Sequence, residues 1–222
     1  MARAVRLQSR VERTPSYHLR VTEQHQHYFT ADPDAVSDPR LLTVELPDLT
    51  LKLTTDAGVF SPKQLDPGTR VLLENAPAPT ADGDLLDVGC GYGPIALTLA
   101  KRYPDRRITG VDVNTRALEL ARANAKAAGV GTITFHLPEE VPADKRFAAI
   151  YSNPPIRVGK QALHDLLLHW LARLLPDGIA YLVVQKNLGS DSLAKWLTEQ
   201  GHATERIANA KGYRVLAAKP RA

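Results

Sequence analysis

From about residue 84 the sequence alternates short β-rich runs with helical apolar patterns, and this alternation restricts the fold more than any other feature. Strands are expected at 84–88, 108–113, 132–137, 147–152, 179–185, 203–207 and 213–218, with helices at 94–103, 115–128, 161–175 and 190–200. Strands separated by helices of this length make βαβ units, and hence a parallel sheet in an α/β protein. The final two strands have no helix between them, so an antiparallel hairpin should close a mostly parallel sheet of seven strands.

The first 80 residues follow a different pattern. Leu42, Val44 and Leu46, then Leu49, Leu51 and Leu53, alternate about Pro47-Asp48 and predict a two-stranded hairpin. Asp66-Pro67-Gly68 starts a short helix running to about Asn75, and a Pro- and Ala-rich stretch leads into the sheet. We therefore divide the 222 residues into an N-terminal extension, 1–80, and a catalytic domain, 81–222. One core is expected, because a single core serves roughly 100 to 250 residues. A lone cysteine, Cys90, excludes an intramolecular disulfide and a cysteine-based zinc cluster. No apolar run suits a signal peptide or membrane span, so a cytoplasmic protein is expected. The excess of 28 Lys+Arg over 24 Asp+Glu weakly favours a polyanionic partner.

The run from Asp87 through Gly89, Cys90, Gly91 and Gly93 puts a strand, three alternate glycines and a helix start in succession. Glycines let the backbone turn sharply and approach a ligand without a Cβ in the way, while the helix start offers unpaired N–H groups. Asp112-Val113, at the end of the next strand, places a carboxylate where ribose hydroxyls would need an acceptor. The spacing is G-x-G-x-G rather than the G-x-G-x-x-G of dinucleotide enzymes, which makes an oxidoreductase the poorer reading. The run resembles the first motif of class I methyltransferases dependent on S-adenosylmethionine (SAM). That resemblance implies a Rossmann-like fold, SAM as cofactor, and a cofactor site comprising Phe60, Asp87, Gly89, Cys90, Gly91, Gly93, Asp112, Val113 and Asn153.

The fourth strand runs into Asn153-Pro154-Pro155-Ile156 at the carboxyl edge, where open α/β sheets bind ligands. An exocyclic amine on a base is a poor nucleophile because its lone pair is delocalised into the ring. The Asn153 side-chain carbonyl and the Pro154 main-chain carbonyl can accept its two N–H groups and direct the lone pair at a methyl donor, with no metal required. The order of motifs matches the Asn-Pro-Pro-aromatic motif of amino-group methyltransferases, whose last position carries an aromatic stacking residue. Here Ile156 stands in that place, leaving Tyr28, Phe29 and Phe60 as candidate stacking partners.

Over nearly its whole length the chain resembles small-subunit ribosomal RNA guanine-N2 methyltransferases, especially single-domain members related to archaeal proteins. The stretches that carry the resemblance are His27-Tyr28-Phe29, Thr55 through Ser61, Asp66-Pro67-Gly68-Thr69, the glycine loop, Asn153 through Lys160, and Lys211 through Leu216. The resemblance implies that Phe60, Ser61 and the helix start after them border the pocket. It also implies ribosomal RNA or the small ribosomal subunit as partner, with Arg157, Lys160 and Arg214 near the pocket mouth. His136 or Glu139 could meet an adenine amine.

Other features are given plainer readings. His25 and His27 lack a third ligand at recognisable spacing, so no metal is expected. His164 and His169 sit among leucines and suit helix packing. Arg3, Arg6, Arg10, Arg13 and Arg20 suit either a phosphate-binding arm or a solvated tail. The competing functions are methylation of an adenine N6, a protein glutamine or a small molecule, or a non-catalytic RNA-binding module.

Overall fold

The computed structural model describes residues 35–221. Tyr28, Phe29, the five N-terminal arginines, His25 and His27 lie outside the described residues. In chain order the elements are β1 (Arg40–Glu45), β2 (Thr50–Thr55), α1 (Pro67–Asn75), β3 (Leu85–Val88), α2 (Pro94–Arg102), β4 (Ile108–Val111), α3 (Thr115–Ala127), β5 (Ile133–His136), β6 (Phe147–Ser152), α4 (Lys160–Leu171), β7 (Leu174–Gln185), α5 (Ser190–Glu199), β8 (His202–Ala210) and β9 (Tyr213–Arg221). The main sheet has seven strands in the order β5-β4-β3-β6-β7-β9-β8. β5, β4, β3, β6 and β7 are mutually parallel, and β9 runs antiparallel to both β7 and β8. The class I methyltransferase architecture expected from the sequence is the one formed.

β3, β4 and β6 are buried along their whole length, as parallel strands covered on both faces must be. Alternate side chains divide between two layers. Leu85, Tyr181, Val183, Val215 and Ala217 face the layer built by α1, α2, α3 and the hairpin. Leu86, Val88, Ile150, Leu182, Val184 and Leu216 face α4 and α5. His164 stacks on Trp196 and His169 meets the edge of Trp170, so both histidines serve packing. The β8–β9 turn takes positive φ at Lys211 (50°) and Gly212 (79°), the twist that suits a two-residue hairpin.

Pro176-Asp177-Gly178 reads from the sequence as a turn between a helix and a strand, but the structure holds it inside β7. Phe147 pairs with Leu174 and Ala149 with Ile179, so these residues bulge from the ladder between two paired stretches. Pro176 has no N–H to give a ladder, and Gly178 leaves no room for a Cβ, whose nearest neighbour would be the Ala148 carbonyl at 3.0 Å.

The described part of the extension shares the core of the sheet. Val44, Leu51, Leu53, Val59 and Leu72 belong to the same buried cluster as Leu85, Ile95 and Leu118. Polar ties fix its position. The Asn124 side chain on α3 accepts from the Thr54 N–H (2.7 Å) and donates to the carbonyls of Thr54 (2.8 Å) and Tyr92 (2.9 Å). One buried amide thus links the hairpin to the glycine loop. At the hairpin turn, Arg102 donates both to the Asp48 carboxylate (2.8 Å and 2.8 Å) and to the Leu73 carbonyl (2.7 Å). Asp48 is exposed enough that such a pair contributes only about 1 kcal/mol.

Asn124→Ala strands three backbone groups, with the Tyr92 carbonyl buried and those of Thr54 partly so, and should destabilise the fold by about 2–3 kcal/mol. Exposed Glu119→Ala should stay within about 0.5 kcal/mol. Urea denaturation of both variants checks this, and equal midpoints would disprove the linking role of Asn124.

Candidate functional site

β3, β4 and β6 point the same way and are paired in register, so the residues that follow them gather at one edge of the sheet. Gly89 and Gly91 follow β3 with φ of 74° and 54°, a region that side chains disfavour. A Cβ at either position would meet nothing within 4 Å. The open side of this loop is shaped to admit a ligand against bare backbone. Gly93 plays a different part, because it starts α2 at φ 95° and a Cβ there would lie 2.6 Å from Leu97 Cδ1. It does not line the cleft. Cys90 borders only a side recess, and its thiol points inward, 3.2 Å from where a Cβ on Gly110 would lie. Burial pushes its pKa well up, which makes it a packing residue rather than a nucleophile.

The two carboxylates anticipated from the sequence divide the work. Asp112 lies in the cleft wall and accepts from the N–H of Gly91 (2.8 Å, Oδ2) and of Asn114 (2.9 Å, Oδ1). Each oxygen keeps a lone pair for a ligand hydroxyl. Removal from water raises its pKa, against the opposing pull of these N–H groups. Asp87 is fully buried and does not reach the cleft. Its Oδ2 accepts from the Ala96 N–H (2.9 Å), serving the start of α2 as the cap that Gly93 cannot supply. The expected cofactor contact at Asp87 is therefore corrected to a support of the glycine loop from below. Desolvation raises its pKa to about 8.

After β6, Pro155 has φ −74° and ψ 79°, an inverse γ-turn in which the Ile156 N–H donates to the Pro154 carbonyl (2.8 Å). That carbonyl retains its second lone pair. The Asn153 amide nitrogen donates to Asp66 Oδ1 (2.7 Å) and to Thr69 Oγ1 (3.0 Å). Its carbonyl oxygen has no partner among the described residues.

A cleft of about 480 Å³ joins these parts. Of the residues expected from the sequence, it is lined by Phe60, Gly89, Gly91, Asp112, Val113, Asn153, Pro154, Pro155, Ile156 and Arg157. Lys160 opens α4 just beyond, exposed. Arg214 is corrected: it is buried and committed to Asp191 and to Ser190 Oγ (3.1 Å), so it offers no free charge to a ligand. Neither His136 nor Glu139 lines the cleft, whereas Pro138 between them does. Ser61 and Asp66, from the loop and helix start that the resemblance placed at the pocket, line it too, as does Tyr213 from a stretch given no site role; sequence reasoning missed Gln185 and Leu188. Gln185 ends β7 at the same edge, a position that could have marked it. The residues fit a nucleoside-bearing cofactor: bare backbone at Gly89 and Gly91, with an Asp112 carboxylate beside it. No group of three metal-ligating side chains occurs among the described residues, and no helix there is long and apolar enough to cross a membrane.

Asp87 gives a pH signature with a definite sign. A carboxyl whose pKa rises on folding contributes stability below its unfolded pKa, near 4, and loses it as pH climbs through about 8. Between about pH 5 and 8.5 the ligand-free protein should lose stability relative to Asp87→Asn. Parallel urea curves for the two proteins across that range would refute the assignment.

Comparison with known proteins identifies the family. The family described as Methyltransferase small domain matches residues 50–217. YbxB of Bacillus subtilis, described as uncharacterized, is 36% identical over 197 residues, 87% of this chain and 98% of that protein. Ribosomal RNA small subunit methyltransferase C of Shewanella amazonensis is 34% identical over 193 residues, 85% of this chain and 54% of its own length. The chain thus spans about half of that relative. Among solved structures, the T. thermophilus 16S rRNA N2 G1207 methyltransferase in complex with AdoMet and guanosine superposes with a TM-score of 0.72 at 25% identity, covering 85% of this chain and 52% of that one. With the match running from the extension's second strand into β9, the chain belongs to the methyltransferase small domain family.

Proposed function

We propose that this chain transfers a methyl group from SAM to the exocyclic N2 of a guanine in small-subunit ribosomal RNA. The observation that carries this reading is the Asn153 amide at the cleft, with both hydrogens committed to Asp66 and Thr69 and its oxygen unpartnered. An oxygen held in that way accepts a hydrogen bond and cannot donate one, which favours a nucleophile with hydrogens to give, as an exocyclic amine has. The relative from T. thermophilus, solved with AdoMet and guanosine, supports the same reading.

SAM supplies the electrophilic methyl on its sulfonium. Gly89 and Gly91 admit the cofactor against bare backbone, and Asp112, already oriented by two N–H groups, accepts from ribose hydroxyls. Asn153 Oδ1 and the free lone pair of the Pro154 carbonyl hold the two amine hydrogens and turn the nitrogen lone pair towards the methyl. The amine loses its proton to water after transfer, so the chain needs no strong base.

Ile156 lines the cleft without an aromatic ring, and other apolar surface faces the entrance. Phe60 and Leu188 are 43% and 42% exposed, values that single them out on this rim as surface for a flipped-out base. Arg157 in the wall, and exposed Lys160 and Lys186 nearby in the chain, give that side a positive character suited to phosphates. The extension contributes Phe60 as cofactor and substrate lid, and Tyr28, Phe29 and the N-terminal arginines are further RNA contacts in this reading.

Radiolabelled SAM incubated with small ribosomal subunits, large subunits, naked rRNA and a protein extract should label rRNA, and digestion should yield N2-methylguanosine. Label confined to protein, adenine or small metabolites would reject the target. Asp112→Ala should weaken SAM binding about 100-fold, from the loss of two hydrogen bonds to a charged acceptor. Asn153→Ala should lower kcat about 100- to 1,000-fold with SAM affinity retained. Calorimetric titration of SAM separates the two variants, and an Asn153→Ala enzyme with normal turnover would overturn the mechanism.

A further inference from the structure

We propose that Asp66 and Thr69 are positioning residues that fix which end of the Asn153 amide faces the substrate. The inference rests on the reading of Asn153 as the acceptor of an amine hydrogen. The C=O and NH2 ends of a primary amide have nearly the same shape, so a half-turn about the last side-chain torsion exchanges an acceptor for a donor. A donor at this point would repel the N–H groups of the incoming amine. The choice of end is therefore a condition of catalysis, and Asn153 cannot enforce it alone.

The structure supplies two acceptors on the nitrogen side. Asp66 Oδ1 lies 2.7 Å from Asn153 Nδ2 and Thr69 Oγ1 lies 3.0 Å from it, so both amide hydrogens are used. The reversed amide would set its carbonyl oxygen against the Asp66 carboxylate, two acceptors with no hydrogen between them. Asp66 is itself held in place: its Oδ1 also accepts from the Thr69 N–H (2.9 Å) as the N-cap of α1, and its carbonyl accepts from the Arg70 N–H (2.9 Å). Pro67 follows at the first helical position with its φ pre-set for the helix. The cap that starts α1 thus doubles as the clamp on a residue 87 positions away.

This arrangement gives the extension a share in the reaction beyond covering the cleft. It also gives the acid that lines the cleft next to Asn153 a structural task, since its Oδ1 accepts from two N–H donors.

Two readouts test the proposal. In 1H–15N spectra of the ligand-free protein, the Asn153 side-chain pair, identified by its absence in Asn153→Ala, should exchange with water at least about tenfold more slowly than that of exposed Asn187. In Asp66→Ala and in Thr69→Val this protection should fall. In the SAM transfer assay with small subunits, Asp66→Ala should lower kcat about 10- to 100-fold with unchanged SAM affinity, and Asp66→Asn, which keeps an acceptor oxygen, should recover most of it. Thr69→Val keeps the helix and should lose about tenfold, which covers the case of an Asp66→Ala protein that fails to fold. In the Asn153→Ala background neither change should reduce turnover further, because there is no amide left to orient. An unprotected Asn153 amide overturns the proposal whatever the acceptor proves to be. Normal turnover in Asp66→Ala and Thr69→Val, with Asn153→Ala inactive, overturns the positioning role alone. Full turnover in Asn153→Ala overturns the amine reading on which it stands.

Discussion

The parallel, in-register pairing of β3 with β4 and β6 is the constraint on which the site depends. Three chain segments far apart in sequence end at one edge because their ladders align Val88 with Val111 and Ser152. Once they do, the residue after each strand has a fixed neighbourhood: a glycine turn, a carboxylate and an amide. Hydrogen bonds then tighten that edge. The N–H groups of Gly89 and Cys90 both donate to the Val111 carbonyl, and Ser152 Oγ donates to the Val88 carbonyl at 2.7 Å. A one-residue slip in β4 would turn Asp112 to the other face of the sheet, because side chains alternate with period two.

The sheet alone does not complete the site. The hairpin and α1 precede it in sequence, yet they share its core and reach its edge through a few polar side chains. Asn124 ties β2 to the glycine loop, Asn114 donates to the Gly58 carbonyl at 2.9 Å, and Asn153 meets the cap of α1. Apolar burial holds the two parts together without direction, whereas these amides fix how one sits on the other. Each is costly to leave unpaired once buried, so each favours a single arrangement.

The pair Asp87 and Asp112 shows how surroundings assign roles to one residue type. Both stand at or just past the ends of neighbouring strands. The fully buried one, served by a single N–H, has its pKa raised to about 8 and works beneath the loop. The one in the cleft wall is served by several N–H groups and keeps lone pairs for a ligand. Sequence patterns mark both as belonging to the loop without separating these duties.

The sequence by itself determined the order and type of the elements, the antiparallel close of the sheet and the placing of the glycine loop, Asp112 and Asn153 after three strands that share an edge. These follow from local rules: periodicity, turn chemistry and the placing of ligand groups after strands. Even the bulge at 176–178 carried its Pro and Gly signal, although the paired strand on either side did not show. Only the tertiary structure decided that Arg214 is spent on Asp191, that Asp87 is a support, and that Asp66, Thr69 and Asn124 hold other segments in place. Such roles depend on partners up to 87 residues away, and no spacing along one strand or helix encodes who meets whom across a folded core.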